Sequence, residues 1–159
     1  MKLFLVQHAK AASKDVNPER SLTEAGQRDI RKVSAFIKPL NLSVDCLWHS
    51  GKKRAEQTAE VLGEVVEVRK EMVAREGLSP NDDVAALRDE IISGGKDIMI
   101  VGHQPFMGKL ASLLLTGSEL SGTLAFKQGG IVCLNCYQEK QWQINWMIIP
   151  ELISPIHSS

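Results

Sequence analysis

The sequence predicts an α/β fold in which helices flank a largely parallel central sheet, and two observations favour it. Apolar segments of strand length alternate with segments of helical periodicity through most of the chain. Several of the strand segments are almost continuously apolar, as expected for strands buried on both faces of a parallel sheet. At 159 residues the chain has the size of one ordinary domain, so residues 1–159 are predicted to form a single domain.

The strand candidates are short runs rich in apolar and β-branched residues. In order they are residues 1–7, 44–50, 65–69, 96–103, 129–138 and 141–149. The last two are separated only by the polar residues "EKQ", which predicts a closing hairpin or at least adjacent strands. No pattern is clear from Pro150 onward.

The helix candidates show apolar positions at spacings of three and four. In the first helix, capped by Thr23, these positions are Ile30, Val33, Ile37 and Leu40, and Pro39 marks its end. The others are residues 52–64 with an interruption near Gly63, a helix capped by Asp82 or Asp83 that buries Val84, Leu87 and Ile91, and Pro105–Gly117. Residues 71–83 are expected to be rich in loops.

The composition argues against several classes of partner. The 19 basic and 19 acidic residues leave no net charge to attract nucleic acid or an anionic membrane. No apolar run reaches the roughly 18 to 20 residues that a membrane-spanning helix needs.

The cysteines favour a reducing, cytoplasmic setting. Cys46, Cys133 and Cys136 are an odd number inside apolar runs, and no positively charged leader precedes the first strand candidate. The spacing of Cys133 and Cys136 is also found in redox and metal sites, but no second ligand pair accompanies it, so we favour core packing.

Two histidines and an arginine are candidates for a functional site. His8 and His103 each follow a predicted strand directly, and Arg54 falls in the first turn of the helix after another strand. Carboxyl ends of parallel strands meet at one edge, where ligands bind, and an arginine fork with two imidazoles suits phosphate. Taken alone, a histidine at a strand end is more often a surface or hydrogen-bonded residue than a catalyst, and a single arginine on a helix is usually solvated.

Four segments in order carry a resemblance to a known family. They are "LFLVQHAKA", "ERSLTEAGQRD", "HSGKKRAEQTAEVL" and "MIVGHQPFMGKLASLL", and together they resemble the histidine phosphatase superfamily. The short chain is most similar to the compact SixA-like phosphohistidine phosphatases of that superfamily. The resemblance implies a three-layer α/β/α, phosphoglycerate mutase-like fold.

The resemblance also implies a mechanism. His8 would attack phosphorus and carry the phosphoryl group until water releases it, while Arg54 and His103 would hold the phosphate oxygens. Glu76 lies in the region where the family commonly places the acid that protonates the leaving group, although a loop glutamate is often simply solvated. No metal and no cofactor would be needed.

One residue departs from the family signature. Gln7 stands where the family has an arginine, so the side chain keeps N–H donors but loses the charge and the fork. The enzyme would then bind phosphate more weakly, or Lys10 would supply the missing charge, or the site would bind phosphate without turnover. The retention of His8, Arg54 and His103 favours the first two outcomes.

The small size leaves little room for the insertions that cover the site in larger relatives. An open site suits a phosphohistidine-bearing partner protein, such as a signalling phosphotransfer domain. A small-molecule phosphomonoesterase and a non-catalytic phosphate- or phosphoprotein-binding module remain as alternatives. His49 is expected to be structural and His157 to be solvated in the tail.

Overall fold

The computed structural model describes residues 1–120, 122–138 and 141–155 of the chain. Within these ranges six strands form one sheet: β1 (Lys2–Gln7), β2 (Ser43–His49), β3 (Glu67–Ala74), β4 (Ile98–Gly102), β5 (Ile131–Tyr137) and β6 (Gln141–Ile148). The helices of the same ranges are α1 (Glu24–Ile37), α2 (Lys53–Gly63), α3 (Val84–Gly94) and α4 (Phe106–Thr116), with short 3₁₀ turns at Lys38–Leu40 and Pro150–Leu152.

The sheet order is β3-β2-β4-β1-β5-β6, with β1 and β4 at its centre. β3, β2, β4 and β1 run parallel to one another, whereas β5 is antiparallel to both β1 and β6. The prediction of a largely parallel central sheet is therefore confirmed. The predicted adjacency of the last two strands is also confirmed, while Glu139 and Lys140 of the polar connection lie outside the described residues.

Two hydrophobic cores lie between the sheet and the helices, one on each face of the sheet. The fold therefore has three layers, with helices on both sides of the sheet. Side chains alternate across a strand, so in β1 Leu3 and Leu5 face one core while Phe4 and Val6 face the other. The first core is completed by α3 and α4, and the second by α1 and α2. Burial on both faces explains the continuous apolar runs that mark these strands in the sequence.

Most helix boundaries agree with the sequence signals. Thr23 caps α1 by accepting a hydrogen bond from the Gly26 N–H at 3.0 Å, and Asp83 caps α3 by accepting one from the Ala85 N–H at 2.9 Å. Asp82, the alternative cap, instead accepts from the Ser79 N–H in the preceding turn. Gly117 ends α4 in the left-handed conformation that glycine adopts without strain.

Two predictions about these elements were wrong. β3 continues to Ala74, through the first part of the segment expected to be loop-rich, because an edge strand that is largely exposed carries no apolar run to reveal it. Leu40 is 51% exposed rather than part of the buried face of α1, since the chain tightens into a 3₁₀ turn after Ile37 and the side chain rotates off that face.

The cysteines pack in the two cores, as expected. Cys46 and Cys133 are buried, Cys136 is partly buried, and all three are free thiols. Burial raises the pKa of the Cys46 and Cys133 thiols, which disfavours the reactive thiolate.

The close approach of α1 to the segment after β1 yields a prediction about Gly26. A Cβ at this position would lie 2.1 Å from the backbone oxygen of Lys10, so Gly26→Ala must displace backbone. We expect the free energy of unfolding, measured by urea denaturation, to fall by about 1–3 kcal/mol. Gly94→Ala is the matched control, because a Cβ there meets nothing within 4 Å and the change should stay within about 0.5 kcal/mol of wild type. Equal stability of the two variants would contradict the close approach.

Candidate active site

His8 and His103 lie side by side because the two strands that precede them are neighbours. Gln7 at the end of β1 is opposite Gly102 at the end of β4, and the His8 N–H donates to the Gly102 carbonyl at 2.9 Å. The ring centroids of His8 and His103 are 5.0 Å apart with the planes tilted by 52°. The sequence prediction that these imidazoles meet at one edge of the sheet is confirmed.

The His8 ring is held in one tautomer by the backbone. Its Nδ1 lies 2.7 Å from the Ala9 carbonyl oxygen, and because a carbonyl only accepts, Nδ1 must carry the proton. In the neutral ring Nε2 then carries a lone pair. His8 is buried to all but 6% of its surface, which restricts the ring further.

His103 is paired with Ser50, a residue that the sequence analysis placed in a motif without assigning it a role. The Ser50 Oγ and His103 Nε2 atoms are 2.6 Å apart, and the same Oγ accepts the Lys52 N–H at 3.3 Å. The hydroxyl keeps its proton to donate to Nε2, and in that arrangement the proton of a neutral ring lies on Nδ1. The Nδ1 atom is buried and has no hydrogen-bond partner among the described residues. In this tautomer Nδ1 is a free donor inside the site.

Arg54 reaches this edge of the sheet from the first turn of α2, as predicted. The helix is joined to the segment that follows β1 by Thr58, whose hydroxyl donates to the Arg54 carbonyl at 2.8 Å and accepts from the Ala9 N–H at 3.0 Å. Thr58 therefore connects α2 to Ala9, whose carbonyl orients the His8 ring. The Arg54 Nε atom is buried without a partner in the described part of the chain.

Arg20 is a second guanidinium that the sequence analysis did not single out. It lies in the loop before α1, and its Nε donates to the Ala12 carbonyl at 3.0 Å. Its charge lowers the pKa values of His8, His103 and Arg54, which places it in the electrostatic environment of all three. The only signal in the sequence was its position in "ERSLTEAGQRD", a segment that contributed to the family resemblance as a whole.

Both imidazoles are held neutral. Burial is the largest cause of the lowered pKa of His8, the hydrogen bond to Ala9 opposes it, and Arg54 and Arg20 lower it further. Burial, followed by Arg54 and His8, lowers the pKa of His103 to about 3. At neutral pH the positive charge of the site therefore resides on its guanidinium groups, and the imidazoles supply a lone pair and an N–H.

Gln7 and Lys10 lie on one side of His8. They line a common cavity of about 460 Å³, Gln7 half-buried at the end of β1 and Lys10 exposed. The Gln7 Oε1 atom is buried and has no hydrogen-bond partner among the residues described.

Glu76 lies on the other side, apart from the histidines. It is exposed and lines a cavity of about 630 Å³ together with Ser50, Arg75 and Gly77. Ser50 connects this cavity to His103. The structure brings Glu76 to the same end of the sheet but shows no contact between its carboxylate and either imidazole.

The two remaining histidines differ. His49, the last residue of β2, is buried, and its Nδ1 accepts a hydrogen bond from the Gly51 N–H at 3.1 Å, which agrees with the expected structural role. His157 lies outside the described residues.

The described ranges hold no cluster of metal ligands and no helix suited to crossing a membrane. In residues 1–120, 122–138 and 141–155 no group of three or more His, Cys, Asp and Glu side chains is arranged to hold a metal ion. Over the same ranges, no helix combines the length and apolar character needed to cross a membrane.

Comparison with known proteins identifies the relatives of this chain. No family model matches the sequence. An uncharacterized protein of Picosynechococcus sp. is 30% identical over 142 residues, which cover 84% of each chain. The phosphohistidine phosphatase SixA of Escherichia coli is 24% identical over 155 residues, or 94% of each chain. A solved structure of the protein histidine phosphatase SixA with tungstate superimposes with a TM-score of 0.82 and 23% identity, covering 96% of this chain and 99% of that one.

The chain shares the fold of the protein histidine phosphatase SixA and is similar to it in sequence. Its six-stranded sheet with flanking helices is the phosphoglycerate mutase-like fold of these neighbours, so the predicted fold class and the SixA-like resemblance are both confirmed. Gln7 is the residue at which the chain departs from the signature that the sequence resembles.

The lowered pKa of His103 predicts how stability depends on pH. The unfolded ring titrates near 6.5 and the folded ring near 3, so between these values the unfolded state binds more protons. The stabilisation is complete above about pH 6.5 and is lost as the pH falls toward 3. Each pH unit inside this window costs about 1.4 kcal/mol for His103, and His8 adds to the loss in the same direction.

Urea denaturation at intervals from pH 7.5 to pH 4.5 checks this dependence. His103→Asn should flatten the curve of unfolding free energy against pH by up to about one proton's slope. An unchanged slope in that variant would show that His103 is not the buried neutral group described here.

Proposed function

We propose that this protein is a metal-independent phosphatase that works through a phosphohistidine intermediate on His8. The observation that carries the proposal is the hydrogen bond of 2.7 Å from the His8 Nδ1–H to the Ala9 carbonyl, beside His103. An imidazole that is neutral, oriented and deprotonated at Nε2 is a competent nucleophile at neutral pH.

The reaction would proceed in two displacements. In the first, the Nε2 lone pair forms a bond to phosphorus while the bond to the leaving group breaks, and the leaving group takes a proton. In the second, water attacks phosphorus, the N–P bond breaks, and the electron pair returns to Nε2 as inorganic phosphate departs. Two steps of this kind have lower barriers than one direct attack by water.

Charge on the phosphate oxygens would be met by the guanidinium groups of Arg54 and Arg20 and by the N–H of His103. The Arg54 Nε and His103 Nδ1 atoms are both buried and unpaired within the described ranges, which suits donors reserved for an anion. Fixed donors of this kind act most strongly on the charge that spreads over the oxygens in the transition state.

We further propose a phosphohistidine-bearing partner protein as the substrate. The similarity to the phosphohistidine phosphatase SixA spans 94% of each chain, so the two proteins match in size. The site is bordered by open cavities on both sides, which would accommodate a phosphorylated side chain on a protein surface. Three free cysteines suit the cytoplasm, the location proposed for the enzyme.

Trapping the intermediate tests the catalytic proposal. A phosphohistidine-bearing protein labelled on phosphorus, mixed with the enzyme in EDTA and quenched in alkali, should leave an acid-labile label on the enzyme. We expect His8→Ala to abolish both label and turnover. His49→Asn is the matched control, because it replaces another buried histidine at a strand end and should retain the label.

The same assay separates the alternatives. Failure of the folded wild-type protein to acquire label or to hydrolyse any phosphorylated substrate, while phosphate still binds, would establish a binding module instead. A kcat/KM much higher for a small phosphomonoester than for the phosphoprotein would assign the protein to small-molecule hydrolysis.

Glu76 is proposed as the acid that protonates the leaving group, because it lines the cavity that Ser50 connects to His103. An alkoxide is a poor leaving group, whereas an imidazole leaves readily once protonated from any source. We therefore expect Glu76→Gln to lower kcat for an alkyl phosphomonoester by about 100-fold and kcat for a phosphohistidine peptide by less than about 5-fold. Glu60→Gln, at an exposed position of α2, serves as the control. Unchanged rates for both substrates would exclude Glu76 from proton transfer.

A further inference from the structure

The cavity beside Gln7 contains a lysine that no motif in the sequence singles out. Lys127 lines the same space of about 460 Å³ as Gln7 and Lys10. It lies in the segment between α4 and β5, far from Lys10 along the chain. The fold therefore brings two lysines to the cavity that is lined by Gln7, the residue at which this chain departs from the arginine of the signature it resembles.

Lys127 is part of a turn that is hydrogen-bonded to Gln7 and His8. The Gly130 N–H donates to the Lys127 carbonyl at 2.9 Å, and the Gly129 N–H donates to the Gln7 carbonyl at 2.9 Å and to the His8 carbonyl at 3.3 Å. Gly129 has a φ of +78°, in the left-handed region that favours glycine. The turn thus holds the backbone of Lys127 next to the strand end that presents His8.

Lys10 is fixed just as firmly by its backbone. Its carbonyl accepts hydrogen bonds from the Thr23 N–H at 3.0 Å and the Thr23 hydroxyl at 3.3 Å. Both lysine side chains are exposed, so their ammonium groups are free to move over the cavity from fixed points of attachment.

The charges around the cavity favour an anion. Its lining also includes the carboxylates Asp29 and Glu151, but Asp29 is paired with Lys32, which lies outside the lining, at 3.7 Å. Apart from Asp29, the charged groups of the lining are then the two lysines, Lys10 and Lys127, and one carboxylate, that of Glu151.

Gln7 supplies an acceptor suited to a lysine. Its Oε1 atom is buried and lacks a hydrogen-bond partner among the described residues, a costly state for an amide oxygen. An ammonium group has three donors, so once the amide turns toward the cavity it can donate to this oxygen and to a phosphate oxygen at once. A glutamine with a lysine would thereby replace the fork and charge of one arginine.

We propose that Lys127, together with Lys10, binds the phosphoryl group of the substrate, oriented by the amide oxygen of Gln7. The effect on catalysis that we infer rests on the proposed function, whereas the effect on phosphate binding does not depend on it. One charge-assisted hydrogen bond to phosphate corresponds to about 10-fold in affinity.

Inorganic phosphate is the probe, titrated into the full-length protein by calorimetry without turnover. Lys127→Met should raise the Kd for phosphate about 10-fold, and Lys127→Arg should restore most of the affinity. Lys38→Met is the matched control, because this exposed lysine follows the far end of α1 and should leave the Kd unchanged. A change of less than 2-fold in Lys127→Met, with the melting temperature intact, would overturn the inference.

A double-mutant cycle tests the replacement of the arginine. Gln7→Arg should tighten phosphate binding, and in that background Lys127→Met should change the Kd by less than about 3-fold because the arginine now provides the charge. A full 10-fold loss in both backgrounds would show that Lys127 acts independently of position 7, which contradicts the proposal.

Steady-state kinetics test whether Lys127 contacts the phosphoryl group or another part of the substrate. Lys127→Met should raise KM equally for a phosphohistidine protein and for a generic phosphomonoester, since both carry the same group. A change confined to the phosphoprotein would mean that Lys127 contacts the partner's surface, and it would overturn the inference. Absence of turnover in the wild type would remove the proposed function, while the expected phosphate titrations would still support the cation pair.

Discussion

The hydrogen bond between the His8 Nδ1–H and the Ala9 carbonyl is the interaction on which the site depends. It determines which ring nitrogen keeps its lone pair, and it does so with a backbone oxygen one residue away. That oxygen can serve only if Ala9 stays in place, which the Thr58 hydroxyl ensures by accepting its N–H. The close approach of Gly26 to the Lys10 backbone holds Lys10, the residue after Ala9, against α1. Several structural features of the motifs therefore serve one imidazole.

The electrostatics of the site combine two requirements that oppose each other. In the proposed reaction phosphate needs nearby positive charge, yet the imidazole that attacks it must not be protonated. Burial and the guanidinium groups of Arg54 and Arg20 satisfy both, because they keep the pKa values of His8 and His103 low while remaining charged themselves. Because the His103 ring stays neutral, it adds no charge of its own to those of Arg54 and Arg20.

Much of this arrangement could be predicted from the sequence, and the exceptions have physical causes. His8, His103 and Arg54 were recognisable because the strand that precedes each of them is visible in the sequence as an apolar run. β3 was underestimated because an exposed edge strand has no such run, and Leu40 was misplaced because a periodic pattern does not show where a helix tightens. Ser50 contacts His103, Arg20 contacts Ala12, and Lys127 lines a cavity with Gln7, and periodicity and spacing do not reveal such neighbours in the fold.

In the free protein, His8 is held as a neutral ring protonated on Nδ1. Nitrogen-15 NMR of the imidazoles, with the His8 resonances assigned by comparison with His8→Asn, measures this directly. At pH 6.5 we expect a protonated Nδ1 and an unprotonated Nε2 for His8. A proton on Nε2, or a fully charged imidazolium at this pH, would contradict it.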